Sequence, residues 1–281
     1  MAFKLYNTIP GAIIESEGAY YAPEAGDWNS LINDDSLFDK LRGIVSSSTK
    51  VANGELLIGN GVLPPIDRQE IWASGVTYFK SREARMEESK EAGGGNFYEK
   101  VYDAPRPELF FKATSQRTVG SGQRVRIRRD STWNVPEPEL TLFITSSRKI
   151  VGFTIGNDMS SRSIEGENPL YLPQAKVYEK CAALGPCILV KENGLRGDTF
   201  ISMKILRDGR TVFMDTIAID QIKRSFEELV EYLFRECEFP YGCFLMTGTG
   251  MVPPKSFTLA PDDEVRISIE PIGTLVNTVE Q

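Results

Sequence analysis

The 281-residue sequence predicts an α+β protein, rich in strands and mixed in sheet direction, with most of its order after residue 108. Three observations predict it. Seven segments carry β-type content: "ELFFKAT", "RVRIRR", "ELTLFITS", "KIVGFTI", "GPCILV", "FISMKILRDGRTVFMDTIA" and "EVRISIEPIGTLVNTV". Strong helical spacing is confined to a few places. Strands and helices do not alternate as βαβ units, which argues against a doubly wound sheet or a (β/α)₈ barrel.

Taken in order, residues 1–65 read as a small N-terminal domain of short apolar runs. Within it "SLFDKLRGIV" (36–45) predicts a short helix capped by Ser36. "GVLPPIDRQEIW" (61–72) carries a double proline that reads as a linker into a catalytic domain spanning 66–281. Residues 80–91 are charged nearly all round and run into "GGG" at 93–95. That pattern fits a solvated surface helix or a lid over a site. Asp-Gly at 208–209 lies between two β-type runs and signals a hairpin. In "DQIKRSFEELVEYLFREC" the residues Ile222, Phe226, Leu229, Val230, Leu233 and Phe234 recur at helical spacing, with Asp220 as the expected cap.

Composition excludes several classes of function. Hydrophobic residues make up 41%, enough to bury a sizeable core. A net charge of −7 argues against a nucleic-acid partner. There is no apolar run long enough for a membrane helix, and the N-terminus lacks a signal peptide, so a cytoplasmic protein is expected. The four cysteines form two pairs with five residues between members, wider than zinc sites usually use, and read as buried reduced thiols. The chain contains no histidine. Ser-His-Asp and Cys-His catalysis and His-ligated metals are therefore excluded, leaving carboxylates, lysine, tyrosine, thiols and hydroxyls.

Those groups concentrate around "NVPEPELTLF" (134–143). In an extended chain Glu137 and Glu139 face together, about 7 Å apart along the backbone. Leu140, Leu142 and Ile144 face the opposite way, toward a core. Pro136 and Pro138 stiffen the segment and withhold two donors from any neighbouring strand. The pair alone reads more plainly as two solvated acids at a strand edge. Asp158 adds a third carboxylate where the strand Ile150–Ile155 breaks at "GND". An oxygen-only set of three acids suits Mg²⁺ or Mn²⁺ with room for water and substrate. Lys176 lies in a polar loop; a lysine beside a divalent cation can exchange a proton, although a surface lysine is the plainer reading. "TGTG" (247–250), at a strand end, lets backbone N–H groups approach an anion such as a carboxylate.

With these residues placed, residues 70–278 resemble the fumarylacetoacetate hydrolase superfamily through "GVTY", "FFKAT", "EPEL", "GFTIGNDMSSR", "AALGP" and "TGTGMVP", in family order. The resemblance implies a β-roll-like catalytic domain, a homo-oligomer (dimer or tetramer), and Mg²⁺ or Mn²⁺ held by Glu137, Glu139 and Asp158. Two departures matter. Hydrolases of the family carry a histidine three residues after the tyrosine of the first motif, where this chain has Ser81. The interval from Glu139 to Asp158 is also short. "EKVYDAPRPELFFKAT", "ENPLYLPQAKVYEKCAALGP" and "IGTLV" resemble more narrowly the 2-keto-3-deoxypentonate dehydratases. That likeness implies a small sugar-acid substrate and loss of water to give 2,5-dioxopentanoate. It makes Glu108 and Lys176 the acid–base pair, with Lys176 taking the C3 proton and Glu108 protonating the departing hydroxyl, or the reverse. Arg106, Arg117 and Thr249 are weaker candidates for substrate contacts. Acylpyruvate hydrolysis, keto-acid decarboxylation, diene-dioate isomerisation, a Schiff-base lyase through Lys176 and a metal-stabilised non-enzyme are the competing expectations.

Overall fold

The computed structural model describes residues 1–24, 26–59, 61–80 and 100–281. The charged segment and glycine triplet expected as a surface helix or lid lie outside the described residues. Among the described residues an 11-stranded mixed sheet and a five-stranded sheet dominate. The path of the large sheet runs Ala19–Tyr21, Gly11–Ser16, Ala2–Thr8, Ala182–Lys191, Ile150–Asp158, Pro138–Ile144, Cys243–Met246, Glu70–Gly75, Glu108–Thr114. The smaller sheet runs Arg210–Ala218, Phe200–Arg207, Glu264–Ile269, Gly273–Glu280, Arg124–Arg126. The α+β, strand-rich class predicted above is the class observed. No helix among the described residues is long and apolar enough to cross a membrane.

Alternation along the strands distributes the apolar side chains to two cores. Leu140, Leu142, Ile144, Ile155 and Leu189 from the large sheet meet Ile201, Met203, Ile205, Val265, Ile267 and Leu275 from the small one. The opposite face of the large sheet packs Phe143, Phe244, Met246 and Ile71 against Phe3, Leu5, Ile14, Ile32, Leu37 and Leu41. The strand Pro138–Ile144 is therefore buried on both faces. Each fully buried aliphatic side chain there is worth about 1.5–3 kcal/mol of transfer free energy.

Several local expectations are corrected. The Gly11–Ser16 and Ala2–Thr8 strands read in the sequence only as short apolar runs, and Glu70–Gly75 begins inside the segment 61–72 that reads as a linker. The long C-terminal helix is shorter than its periodicity suggests. It spans Phe226–Leu233, and Ser225, not Asp220, caps it by accepting the Glu228 N–H. Asp220 instead belongs to the turn Ile219–Gln221. The helix after Ser36 spans Leu37–Ser47, but the Ser36 side chain makes no capping bond. The hairpin at Asp208–Gly209 forms as expected, with φ of 51° and 74° at its two turn residues.

Candidate active site

Sheet register explains how three acids meet. The expected break at "GND" does not occur: the strand continues from Ile150 through Asp158. Glu139 pairs with Gly156 across the antiparallel ladder. One step further out, Glu137 and Asp158 exchange backbone hydrogen bonds of 3.2 and 2.9 Å. Glu137 and Asp158 are thus direct cross-strand neighbours, and Glu139 lies two residues along on the same face. One carboxylate oxygen from each lies within 4.8 Å of the others, and all three residues are buried. The prolines fit this register. Backbone donors alternate sides along a strand, so the nitrogens of Pro136 and Pro138 face away from Ile150–Asp158. On that far side, pairing with Cys243–Met246 begins only at Thr141.

Like charges opposite one another are costly, so the cluster must be neutralised. Lys176 does part of this. It is not in an open polar loop, as expected from sequence, but ends the short helix Leu172–Lys176 and is 1% exposed. Its Nζ donates to Glu137 Oε2 at 2.7 Å, Asp158 Oδ2 at 2.8 Å and Ser160 Oγ at 2.7 Å. Two cations with no role assigned from sequence complete the set. Arg162 Nη2 lies 2.7 Å from Glu137 Oε1, and its Nη1 lies 3.6 Å from Glu165. Lys112 Nζ lies 2.5 Å from Asp158 Oδ1. Both residues sit inside quoted motifs, and Lys112 interrupts an otherwise apolar strand. A charged residue in such a run is the signal that could have marked it.

Glu139 is held differently. Its carboxylate accepts the Gly248 N–H. Gly248 has φ of 92°, and a Cβ there would lie 2.0 Å from Thr77 Oγ1. The small residues of "TGTG" therefore do bring a backbone donor to a carboxylate, here one of the protein's own. Burial, followed by the charges of Asp158 and Glu137, pushes the Glu139 carboxyl well above the ordinary carboxylate range. Because its folded value exceeds the unfolded one, this group favours folding at low pH, and that contribution is lost as pH rises through the folded value. A metal ion must displace the proton. Mg²⁺ binding is therefore expected to release protons and to tighten with rising pH below the folded value. Calorimetry in two buffers of different ionisation enthalpy checks this, and proton uptake would contradict it.

The acids line a cavity with Ser74, Gly75, Glu108, Phe110, Arg162, Glu165, Leu172, Lys176 and Thr249. Glu108 opens the strand Glu108–Thr114 opposite Gly75. A Cβ on Gly75 would stand 2.1 Å from Glu108 Oε2, so the glycine makes room for this carboxylate. Gly75→Ala should displace Glu108 and, if Glu108 is the acid–base group that the family resemblance implies, lower kcat by about 10- to 100-fold. Unchanged metal affinity, measured by titration, should accompany the loss. Thr249 is buried in the cavity wall. Arg106 is exposed and lies over the Tyr232 ring, while Arg117 closes the turn Ser115–Arg117; neither lines the cavity. The four cysteines are free and three are buried as expected, but Cys237 is exposed.

The donor set fits a hard divalent cation: among the described residues it offers three carboxylates and no nitrogen or sulfur ligand, and the cavity wall sets five acids against two cations, with Lys112 behind it. The fold and site together define a strand-rich protein whose buried cluster of three carboxylates could hold a divalent metal. The chain belongs to the fumarylacetoacetate hydrolase family, whose "Fumarylacetoacetate (FAA) hydrolase C-terminal" model matches residues 71–280. It is 50% identical over 216 residues to the "Probable 2-keto-3-deoxyxylonate dehydratase" of Haloferax volcanii, covering 76% of this chain and 73% of that one. It is 44% identical over 222 residues to the 2-dehydro-3-deoxy-D-arabinonate dehydratase of Saccharolobus solfataricus, covering 78% and 74%. A solved structure of 2-keto-3-deoxy-D-arabinonate dehydratase complexed with magnesium and 2,5-dioxopentanoate superposes with a TM-score of 0.85 at 34% identity, covering 100% of this chain and 99% of that one.

Proposed function

We propose that this chain is a Mg²⁺-dependent hydro-lyase that removes water from a 2-keto-3-deoxypentonate of the 2-dehydro-3-deoxy-D-arabinonate type, giving 2,5-dioxopentanoate. The observation that carries the reading is the meeting of Glu137, Glu139 and Asp158 with the Lys176 amine in one cavity wall that also holds Glu108. The relatives' activities and the product bound in the magnesium-containing structure point the same way.

Glu137, Glu139 and Asp158 would hold the ion. When bound, Mg²⁺ (or Mn²⁺) supplies electrophilic stabilisation for the negative charge that develops on a 2-keto oxygen as the C3 proton leaves. Lys176 is the group assigned to accept that proton, and Glu108 the one assigned to protonate the departing C4 hydroxyl. Loss of water leaves a C3=C4 enone; a proton then moves from C5 to C3 to give a C4=C5 enol, and transfer of that enol's O–H proton to C4 gives the aldehyde. Thr249 is assigned to the substrate's carboxylate; the proposed contacts from Arg106 and Arg117 would require those side chains to reach in from outside the described cavity wall. The absence of any histidine removes the family's usual water-activating residue and disfavours hydrolysis.

The proposed homo-oligomer (dimer or tetramer) and cytoplasmic setting follow from the family. Light scattering on the purified protein tests the first. The division into residues 1–65 and 66–281 is likewise proposed, with the strand Ala2–Thr8 paired to Ala182–Lys191 across that division. The deciding experiment is a panel of 2-keto-3-deoxypentonates incubated with enzyme and Mg²⁺, with the product read as semialdehyde. Release of 2,5-dioxopentanoate, abolished by chelator and restored by Mg²⁺, is the expected result. Inertness toward the whole panel by a metal-loaded protein would sink the assignment.

A further inference from the structure

Lys112 carries an inference that neither the metal ligands nor the acid–base pair contain. Its side chain is wholly buried, in the middle of the strand Glu108–Thr114. An ammonium has three N–H groups. Here Lys112 Nζ donates to the Met159 carbonyl at 2.9 Å and the Lys176 carbonyl at 2.5 Å, and forms an ion pair with Asp158 Oδ1 at 2.5 Å. Lys112 is not among the residues that line the cavity, so it stands behind the site.

Each contact bears on a group the proposed reaction uses. Asp158 has its two oxygens divided, Oδ1 toward Lys112 and Oδ2 toward Lys176. Holding Oδ1 fixes the rotation of the carboxylate and so decides which oxygen faces the cluster. The Lys176 carbonyl closes the helix Leu172–Lys176, and a cation at that end anchors the backbone from which the Lys176 side chain extends. Lys112 also lies four residues from Glu108 on the same strand, at the irregularity in that strand's pairing with Glu70–Gly75.

We infer that Lys112 is a positioning residue, a buried clamp that fixes the Asp158 carboxylate for metal binding and sets the reach of Lys176, without touching substrate. The inference rests on the metal-site reading above. Groups that brace a ligand from behind typically change metal affinity or activity by about 10- to 100-fold when removed.

The test compares wild type, Lys112→Met and Lys112→Gln. Mn²⁺ affinity is measured by electron paramagnetic resonance without substrate, and kinetics are measured at saturating Mg²⁺. Lys112→Met is expected to weaken Mn²⁺ binding and to lower kcat, each by about 10- to 100-fold. The KM for the keto acid should change by less than about threefold, because no substrate contact is removed. Lys112→Gln, which keeps an N–H donor, should recover part of both losses. Leu233→Ala, a core truncation outside the cavity lining, controls for general destabilisation and should keep wild-type Mn²⁺ affinity. Wild-type Mn²⁺ affinity and kcat in Lys112→Met overturn the inference, as does an equal loss in Leu233→Ala. If Lys112→Met does not fold, Lys112→Gln decides: wild-type values there overturn it, and an intermediate loss of Mn²⁺ affinity sustains it. A wild-type protein that binds no Mn²⁺ would instead overturn the metal site. One that binds Mn²⁺ but turns over no 2-keto-3-deoxy acid would overturn the reaction and leave the Mn²⁺ comparison to judge Lys112.

Discussion

Glu139→Gln is expected to abolish turnover at ordinary Mg²⁺ concentrations while making the metal-free protein more stable. Glu139 is fully enclosed, faces two other carboxylates, and has its carboxyl pushed upward by burial and by those charges. The amide preserves shape and keeps an oxygen to accept the Gly248 N–H. It removes one of three anionic ligands. Mg²⁺ affinity should fall by at least ~100-fold, the upper end of what is lost when a merely supporting group is removed. Even at saturating metal, kcat should fall by about 10²- to 10⁴-fold, corresponding to several kcal/mol of lost charge stabilisation. The stability effect has the opposite sign. Removing a carboxyl whose ionisation the buried site opposes should stabilise the metal-free protein by about 1–2 kcal/mol at neutral pH. Thermal melts with and without Mg²⁺ separate the two: the variant should melt higher than wild type in chelator and gain less from metal. A variant that binds Mg²⁺ normally would remove Glu139 from the site.

Lys176→Met should have a comparable effect on rate but a contrasting signature on metal. Its amine stands between Glu137 and Asp158 at hydrogen-bonding distance from both. Without it, kcat should fall by about 10²- to 10⁴-fold, the usual range for a positioned acid–base group. Mg²⁺ affinity should hold or improve, because a competing cation has left the carboxylates. In chelator the variant should lose about 3–5 kcal/mol of stability, since two buried acids lose a partner, and Mg²⁺ should restore much of it. Retained turnover would exclude Lys176 from proton transfer. Loss of Mg²⁺ binding would show instead that its role is to hold the carboxylates in place.

These contrasts depend on features that were unequally visible in the chain. Period-two facing placed Glu137 beside Glu139, because neighbouring extended residues obey a local rule. The hairpin at Asp208–Gly209 was equally local. Lys176 was not: its polar neighbours suggested a loop, yet the side chain is buried because Glu137, Asp158 and Ser160, distant in sequence, surround its amine. Asp220 failed as a cap for a related reason. The turn Ile219–Gln221 intervenes, and Ser225 offers the geometry that a helix N-terminus needs.

Composition, strand periodicity and the missing histidine were enough to predict a strand-rich fold, to nominate an oxygen-only set of candidate ligands and to exclude histidine chemistry. Each follows from residue type or from spacing along one segment. The antiparallel register that sets Glu137 opposite Asp158, the glycine at 75 that admits Glu108, and the convergence of Lys112, Arg162 and Lys176 on the acids came from packing. Register and burial are settled by which strands pair and what covers them, and those contacts join residues that no local rule relates.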